Sequence, residues 1–395
     1  MAKPKIRFKG FSEDWEQRKL GEVFEQTTNF VNFSKDDVEL WSLTVEDGLT
    51  PKSERYNREF LVKKDTNFKE VRPGDIVYNP MNMTLGAVGY NGMSKSVAVS
   101  GYYTTMITKD GNDPYYINTW LKSPQAISLY KIYATGSLIE KQRVQFPTLS
   151  IIPAVFPKYA EQHKIGCYFE AIDHLITLHQ RKCDEIKTLK KYMLQKMFPE
   201  KGKLVPEIRF DGFTEDWEQR KLGEVFQEYS EKNHPELPVL TIIQGGGTVL
   251  RDESDRNLQY DKSSLSGYKM VCKNDFIVHL RSFEGGLEKS NHNGLISPAY
   301  HTFHGDDVDP RFYYPYFRSY EFIKHKLVPH VYGIRDGRSI DVTGMKTIQI
   351  PWTSYEEQRN IGNYIESLDH LITLHQHKCE ELQKLKKFML QNMFV

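Results

Sequence analysis

Long apolar runs are absent from this sequence of 395 residues. No stretch approaches the ~20 apolar residues that a bilayer span requires, and the opening residues 1–10 lack the apolar core of a secretion signal. Cysteine is scarce too, since its four residues are widely spaced and form no Cys-x-x-Cys motif. This usage is typical of reduced thiols rather than of a disulfide framework. We therefore expect a soluble, cytoplasmic protein that does not contact a membrane.

Net charge is small as well. Lys and Arg number 53 against 52 Asp and Glu, which gives a formal charge of +1. A strongly basic protein attracts nucleic acid over much of its surface, and this sequence excludes that mode of binding. Contacts with DNA would have to come from local patches or from charge that a partner supplies.

Sequence signatures of common catalytic sites are missing. Gln244–Thr248 is rich in glycine but has neither the spacing nor the lysine of a loop that cradles nucleotide phosphates. Asn79–Asn82 shares only its first half with the Asn-Pro-Pro-aromatic loop of amino-methylating enzymes. The Glu-x-Lys pattern of metal-dependent nucleases occurs at Glu185 and Lys187, inside a predicted helix, where a solvated helix face explains it better. We predict that the chain is not itself a catalyst.

What the sequence does contain is an internal repeat. Residues 6–24 and 208–226 agree at 17 of 19 positions, and residues 161–198 and 357–394 agree at 25 of 38. We call these four segments the repeated ends. The inserts between them, roughly 25–160 and 227–356, share only a faint skeleton. This pattern is expected if the repeated ends assemble the molecule and the inserts discriminate between targets. The alternative is plain duplication, followed by sequence drift in loops that tolerate change.

The two longer repeated ends are predicted to be helices. Apolar residues recur in them at spacings of three and four over about five heptads, with Lys, Glu and Gln on the other faces. Such amphipathic helices need a partner, and an antiparallel pair gives the chain a pseudo-two-fold axis. The predicted fold class is α/β (α+β), with two mixed domains separated by two long antiparallel helices. The predicted segments are a first domain at 1–160, a central helix at 161–200, a second domain at 201–356 and a C-terminal helix at 357–395.

Each helix carries a histidine and a cysteine four residues apart. These are His179 with Cys183 and His375 with Cys379. Antiparallel packing could bring them together as a zinc set of two His and two Cys. The alternative, which we favour and which predicts no bound metal, is that they are positions of the helix seam that tolerate small or polar side chains.

Both inserts mix β-branched and aromatic runs with Pro-Gly and Asn-Gly turns, as in mixed α/β domains. Each has two polar loops, at 78–84 and 136–143 in the first insert and at 279–284 and 333–338 in the second. Arg and Gln on such loops can form paired hydrogen bonds with guanine and adenine edges, although a solvated side chain or a phosphate contact is the simpler role for any single residue. The candidate DNA-binding residues are Asn79, Asn82, Thr84, Lys141, Gln142, Arg143, His279, Arg281, Arg335 and Arg338.

The order of these segments resembles the specificity subunits of type I restriction-modification enzymes over essentially the whole chain. The resemblance rests on Trp15–Gly21 and Trp217–Gly223 as openings, and on Glu161-Gln162 and Glu357-Gln358 leading into the helices. It implies that the inserts are two target-recognition domains, each reading one half of a bipartite, asymmetric site in double-stranded DNA. The helices, at about 50 Å, would set an unread gap of a little over one turn.

The resemblance also implies partners. Two modification subunits would use S-adenosylmethionine to methylate adenine, and two restriction subunits would add ATP-driven translocation and cleavage. S-adenosylmethionine, ATP and Mg²⁺ are then expected on those partners, with no cofactor bound directly by this chain. The alternative is a duplicated scaffold whose inserts bind proteins and read no DNA.

Overall fold

The computed structural model describes residues 3–31, 38–52, 68–136, 142–200, 202–253, 262–279, 281–333 and 338–395. The chain forms two compact units. The first unit comprises Met1–Gln180 and Gln376–Val395, and the second comprises Arg181–His375. Each unit contains a domain of mixed helices and strands, so the predicted mixed fold class is confirmed. Among the described residues, no helix is long and apolar enough to cross a membrane.

In the first unit, a four-stranded antiparallel sheet has the order β2-β10-β7-β8 and a five-stranded sheet the order β3-β6-β9-β4-β5, while β1 pairs with β11. The strands are β1 Glu16–Lys19, β2 Phe24–Thr27, β3 Phe30–Val31, β4 Glu39–Thr44, β5 Gly48–Pro51, β6 Phe68–Val71, β7 Ile76–Tyr78, β8 Val88–Tyr90, β9 Val97–Ser100, β10 Thr104–Thr108 and β11 Pro153–Phe156. The helices are α1 Leu20–Val23, α2 Pro114–Leu121, α3 Pro124–Tyr133, α4 Phe146–Ser150 and the beginning of α5 Tyr159–Lys196, with a 3₁₀ turn at Met83–Leu85.

In the second unit, the four-stranded sheet has the order β13-β20-β17-β18, and four antiparallel pairs accompany it: β12 with β23, β14 with β15, β16 with β19 and β21 with β22. The strands are β12 Glu218–Lys221, β13 Gln227–Tyr229, β14 Leu240–Ile243, β15 Gly247–Leu250, β16 Lys269–Val271, β17 Phe276–Val278, β18 Glu288–Lys289, β19 Gly294–Ile296, β20 His301–His304, β21 Val331–Tyr332, β22 Ser339–Ile340 and β23 Gln349–Trp352. The helices are α6 Leu222–Val225, α7 Ser282–Gly285, α8 Pro310–Phe317, α9 Val342–Met345 and the beginning of α10 Tyr355–Asn392, with 3₁₀ turns at Arg251–Glu253, Lys262–Gly267 and Val328–His330 and a π-helix at Glu321–Leu327.

Local sequence explains where the shorter helices start. Asp113 precedes Pro114, and its side chain accepts a hydrogen bond from the backbone N–H of Tyr116 at 2.8 Å, which caps α2. Ser123 caps α3 in the same way ahead of Pro124. An oxygen-bearing cap followed by proline is a favoured helix start, because proline lacks an N–H that would otherwise be unpaired.

Buried polar contacts in the first unit join the two kinds of repeated end. Glu161, 2% exposed, accepts two hydrogen bonds at 2.7 Å from the guanidinium of Arg7. Gln162 accepts from the backbone N–H of Asp113 at 3.0 Å and donates to the carbonyl of Pro157 at 2.9 Å. The helix start is therefore tied both to the opening segment and to the cap of α2.

The second unit repeats this arrangement. Glu357 is fully buried and accepts from Arg209 at 2.6 and 2.9 Å, from the indole N–H of Trp217 at 3.1 Å and from the hydroxyl of Thr353. The side chain of Gln358 accepts from the backbone N–H of Asp309 at 3.0 Å. The Arg–Glu pair and the Gln side chain of the repeated ends therefore make the same structural contacts in both units.

Within each unit, stretches of the two long helices pack antiparallel. In the first unit, Asp173 of α5 pairs with Lys386 of α10 at 2.5 Å, while the Phe169 and Phe394 rings lie 5.7 Å apart. In the second unit, Lys190 pairs with Asp369 at 2.5 Å. The two ion pairs occupy equivalent repeat positions, so the antiparallel packing predicted for the helices holds inside each unit.

Candidate nucleic-acid interface

The first polar loop of the first unit follows strand β7, which is buried along its whole length. The Asn79 side chain accepts a hydrogen bond from the backbone N–H of Met81 at 3.0 Å, so this amide shapes the turn itself. Met83 is fully buried and anchors the 3₁₀ turn that follows. Asn82 is exposed and Thr84 is partly exposed. Of the three residues predicted here, Asn82 and Thr84 are reached by solvent, whereas the Asn79 side chain is used within the turn.

The second polar loop lies beside the first. Thr135 and Arg143 exchange two backbone hydrogen bonds, at 3.0 and 2.9 Å, which close the loop between them. The backbone N–H of Val144, the residue directly after this loop, donates to the carbonyl of Pro80 at 3.0 Å, which holds the end of the second loop against the first loop. Arg143 is exposed and Gln142 is partly exposed, whereas Lys141 lies outside the described residues.

The first loop of the second unit follows β17 in the same way. The backbone N–H of His279 donates to the Ser282 hydroxyl at 2.9 Å, and the backbone N–H of Arg281 donates to Nδ1 of His279 at 3.2 Å. Burial and the nearby charge of Arg318 lower the pKa of His279 to about 4. His279 is therefore neutral at physiological pH, and the exposed side chain of Arg281 is the cation of this loop.

The second loop of this unit also reaches the first. Strands β21 and β22 form its base, and the guanidinium of Arg338 lies 4.5 Å from the ring centroid of Phe283 in α7. One guanidinium nitrogen of Arg338 lies 3.6 Å from the Glu284 carboxylate. Arg335 lies outside the described residues. In the second unit the described parts of the two loops contact each other, and in the first unit the residue directly after the second loop contacts the first loop.

The glycine loop between β14 and β15 has an unexpected partner. Glu288 is fully buried, and its carboxylate accepts from the backbone N–H groups of Gly245 at 2.8 Å and Gly247 at 3.1 Å. It also accepts from the Tyr314 hydroxyl at 2.8 Å and from Arg318. These amides bind a carboxylate of the protein itself, which gives a physical reason why this loop is no phosphate cradle.

Glu288 carries no sequence signal, because its partners come from two other segments of the chain, the glycine loop and the region of Tyr314 and Arg318. Other residues that were not among the candidate DNA-binding residues are Thr241, Gln244, Arg251, Ser297 and Tyr300, which line a cavity together with His279 and Arg281. In the part of the chain that the structure describes, no group of three or more His, Cys, Asp or Glu residues could hold a metal ion.

Fold and loops together define a class of protein: a duplicated α/β module whose variable loops are held on rigid elements, as in proteins that recognise a ligand through loops. The family model described as the type I restriction modification DNA specificity domain matches residues 12–188. Over these residues the chain is similar to that family, which agrees with the resemblance seen in its sequence. The description of that domain supports a role in DNA sequence specificity, and the relatives are named as specificity subunits rather than as catalytic subunits.

Relatives agree over almost the full length. The chain is 22% identical over 393 residues to the putative type I restriction enzyme MjaX specificity subunit of Methanocaldococcus jannaschii, covering 95% of this chain and 91% of that protein. It is 23% identical over 400 residues to the MjaVIII specificity subunit of the same organism, with the same coverage. The solved S subunit of a type I system from M. genitalium has a TM-score of 0.62 at 14% identity, covering 100% of this chain and 99% of that one, which shows a common fold.

Proposed function

We propose that each unit reads one half of a bipartite, asymmetric DNA site and that the chain thereby directs methylation and restriction by its partner subunits. The observation that carries the proposal is the meeting of two polar loops in each unit, with different chemistry in the two copies. The first unit presents Asn82, Thr84, Gln142 and Arg143, whereas the second presents Arg281 beside a neutral His279. Different side chains in equivalent loops are what two unlike half-sites require.

Surface residues of the long helices support the proposal of two modification subunits. In each unit the helix stretches expose large apolar side chains at spacings of three, and the two sets occupy equivalent repeat positions. We call these sets the apolar stripes; they are Leu175, Leu178, Leu385 and Phe388 in the first unit and Leu189, Tyr192, Leu371 and Leu374 in the second. Two equivalent stripes fit two copies of one partner.

The proposed roles of this chain and its partner subunits also account for the small net charge of the chain. A protein that binds DNA alone needs many phosphate contacts from Lys and Arg, yet this chain has a formal charge of +1. Modification subunits around the duplex would supply that charge and S-adenosylmethionine chemistry, and two restriction subunits would supply ATP- and Mg²⁺-dependent chemistry. The complex would act on DNA in the cytoplasm.

A pair of matched substitutions tests the loop assignment. We expect Arg143→Ala to relax recognition of one half-site and Arg281→Ala to relax recognition of the other, because the two residues lie in different units. Each should weaken binding to its half-site by about 5- to 150-fold, which corresponds to the ~1–3 kcal/mol of a side-chain contact with a base. Competition binding of the assembled complex to DNA with single base changes measures both effects.

Each variant is the control for the other, since both remove one exposed arginine and the same charge. Equal loss on every DNA sequence would identify phosphate contacts rather than base reading. If neither variant changes affinity or target choice, these loops do not contact DNA. Retained assembly with partners and unchanged DNA binding after larger loop changes would favour the protein-binding scaffold instead.

A further inference from the structure

A cavity of about 610 Å³ lies inside the second unit, next to the loop that contains His279. Its size falls within the range of roughly 300–1,000 Å³ that is usual for ligand pockets. The lining residues are Leu240, Thr241, Ile242, Ile243, Gln244, Arg251, His279, Arg281, Ser297 and Tyr300. The cavity therefore combines an aliphatic wall from β14 with an aromatic ring, two guanidinium groups and several neutral polar groups.

The charges of the lining select the class of ligand. Arg251 and Arg281 are cationic, His279 is neutral, and none of the described lining residues is Asp or Glu. The exposed guanidinium of Arg281 can meet an anionic group of a ligand. The aliphatic wall and the Tyr300 ring suit a flat apolar face. A planar ring attached to an anionic group fits both features.

Two buried polar atoms of the lining have no hydrogen-bond partner in the described structure. These are Nε2 of His279 and the hydroxyl oxygen of Thr241. Because Nδ1 of His279 accepts a hydrogen bond from Arg281, the ring proton belongs on Nε2, which is then an unused donor. Leaving a buried polar group unpaired is unfavourable, and these two atoms beside one cavity are available to pair with a ligand.

The position of Gln244 is fixed by groups outside the cavity. The next residues along the chain, Gly245 and Gly247, donate their backbone N–H groups to the buried carboxylate of Glu288. The Gln244 side chain packs so closely on Gly285 that a Cβ there would lie 2.1 Å from its amide nitrogen. A carboxamide held in this way can pair with the edge of a base, as Gln does with adenine.

We propose that this cavity binds a single nucleobase turned out of the DNA duplex, with its phosphate against the exposed guanidinium of Arg281. The base stacks on the aliphatic wall and Tyr300, while Gln244, His279 and Thr241 pair with its edge. This proposal rests on the proposed function, and it adds that the second unit reads one base outside the helix stack, where its whole Watson–Crick edge is accessible.

Fluorescence of 2-aminopurine tests the proposal, because this base analogue brightens when it leaves the stack. Once methylome sequencing has defined the target, the analogue replaces each base of the second unit's half-site in turn, except the methylated adenine, which the modification subunit itself extrudes. The full chain with its modification subunits is added without S-adenosylmethionine. We expect a several-fold rise at one position.

Two variants connect that signal to the cavity. Ser297→Trp should fill the cavity and abolish the rise, and Thr241→Val, which keeps the side-chain shape, should reduce it and relax recognition at the same position. Ser297→Trp should weaken binding of the half-site by about 5- to 150-fold, the equivalent of ~1–3 kcal/mol for one stacked base. Thermal unfolding of both variants confirms that each is folded.

The outcomes separate the two proposals. Specific binding of the half-site with no fluorescence rise at any position overturns the base pocket and leaves half-site reading intact. A rise that both folded variants retain at full height also overturns it, because the base then lies elsewhere. Absence of sequence-specific binding by the complex overturns the proposed function itself.

Discussion

Replacing Arg209 by methionine is expected to lower the free energy of unfolding by about 3–5 kcal/mol, which is typical when one partner of a buried ion pair is removed. The carboxylate of Glu357 is fully buried, and in the variant it keeps hydrogen bonds from Trp217 and Thr353 but loses its counter-charge. Urea denaturation followed by circular dichroism measures the change, with the transition of the second unit as the readout.

Three companion variants test whether the loss of stability comes from the buried ion pair. Arg7→Met should have a comparable effect in the first unit, because Arg7 and Glu161 form the equivalent pair. The double variant Arg209→Met with Glu357→Leu should recover much of the loss, since no buried charge then remains unpaired. Lys203→Met, which removes an exposed cation, should change stability by no more than about 0.5 kcal/mol. A loss below about 1 kcal/mol for Arg209→Met would show that the repeated ends are not joined through this pair.

Charged substitutions in the apolar stripes are expected to remove partners one at a time. Leu385 and Leu189 occupy equivalent positions in the first and second units, and both are exposed, at 41% and 43%. Glutamate at either position should leave the fold intact, as most surface substitutions do, yet it should prevent burial of that stripe against a modification subunit. Leu385→Glu or Leu189→Glu should each leave one bound modification subunit, and the double variant should leave none. Native mass spectrometry with the purified partner counts them.

Thr188→Glu is the matched control for this experiment, because it introduces the same charge at an exposed position next to Leu189 on a different helix face. It should retain both modification subunits. If Leu189→Glu and Leu385→Glu also retain both modification subunits, the apolar stripes are not the docking surfaces. The structure then gives no support for the binding of two copies of one partner.

The long helices were predictable because periodicity is a local signal that accumulates along the chain. Apolar spacing over about 38 residues indicated both helices, which begin at Tyr159 and Tyr355. That spacing cannot show that Glu161 and Glu357 are buried, since each pairs with an arginine about 150 residues away. An acidic residue near a helix start looks in the sequence like an ordinary solvated side chain.

The candidate site was predictable only in part for the same reason. Loops 78–84 and 279–284 could be located from the turn residues and the strands before them. Their contact with the second loop depends on single tertiary interactions, such as the hydrogen bond from Val144 to Pro80, that have no local pattern. The cavity beside His279 is less predictable still, because its lining comes from four segments between Leu240 and Tyr300 and its shape depends on buried Glu288.

Exchange of one insert tests most directly whether the two units read separate half-sites. Residues 25–160 are replaced by the corresponding insert of another specificity subunit, and single-molecule methylome sequencing then compares hosts that carry the original and the exchanged chain with the same modification subunits. Half-site reading predicts a methylated motif in which one half changes while the other half and the gap stay the same. An unchanged methylation motif in the host with the exchanged insert would contradict it.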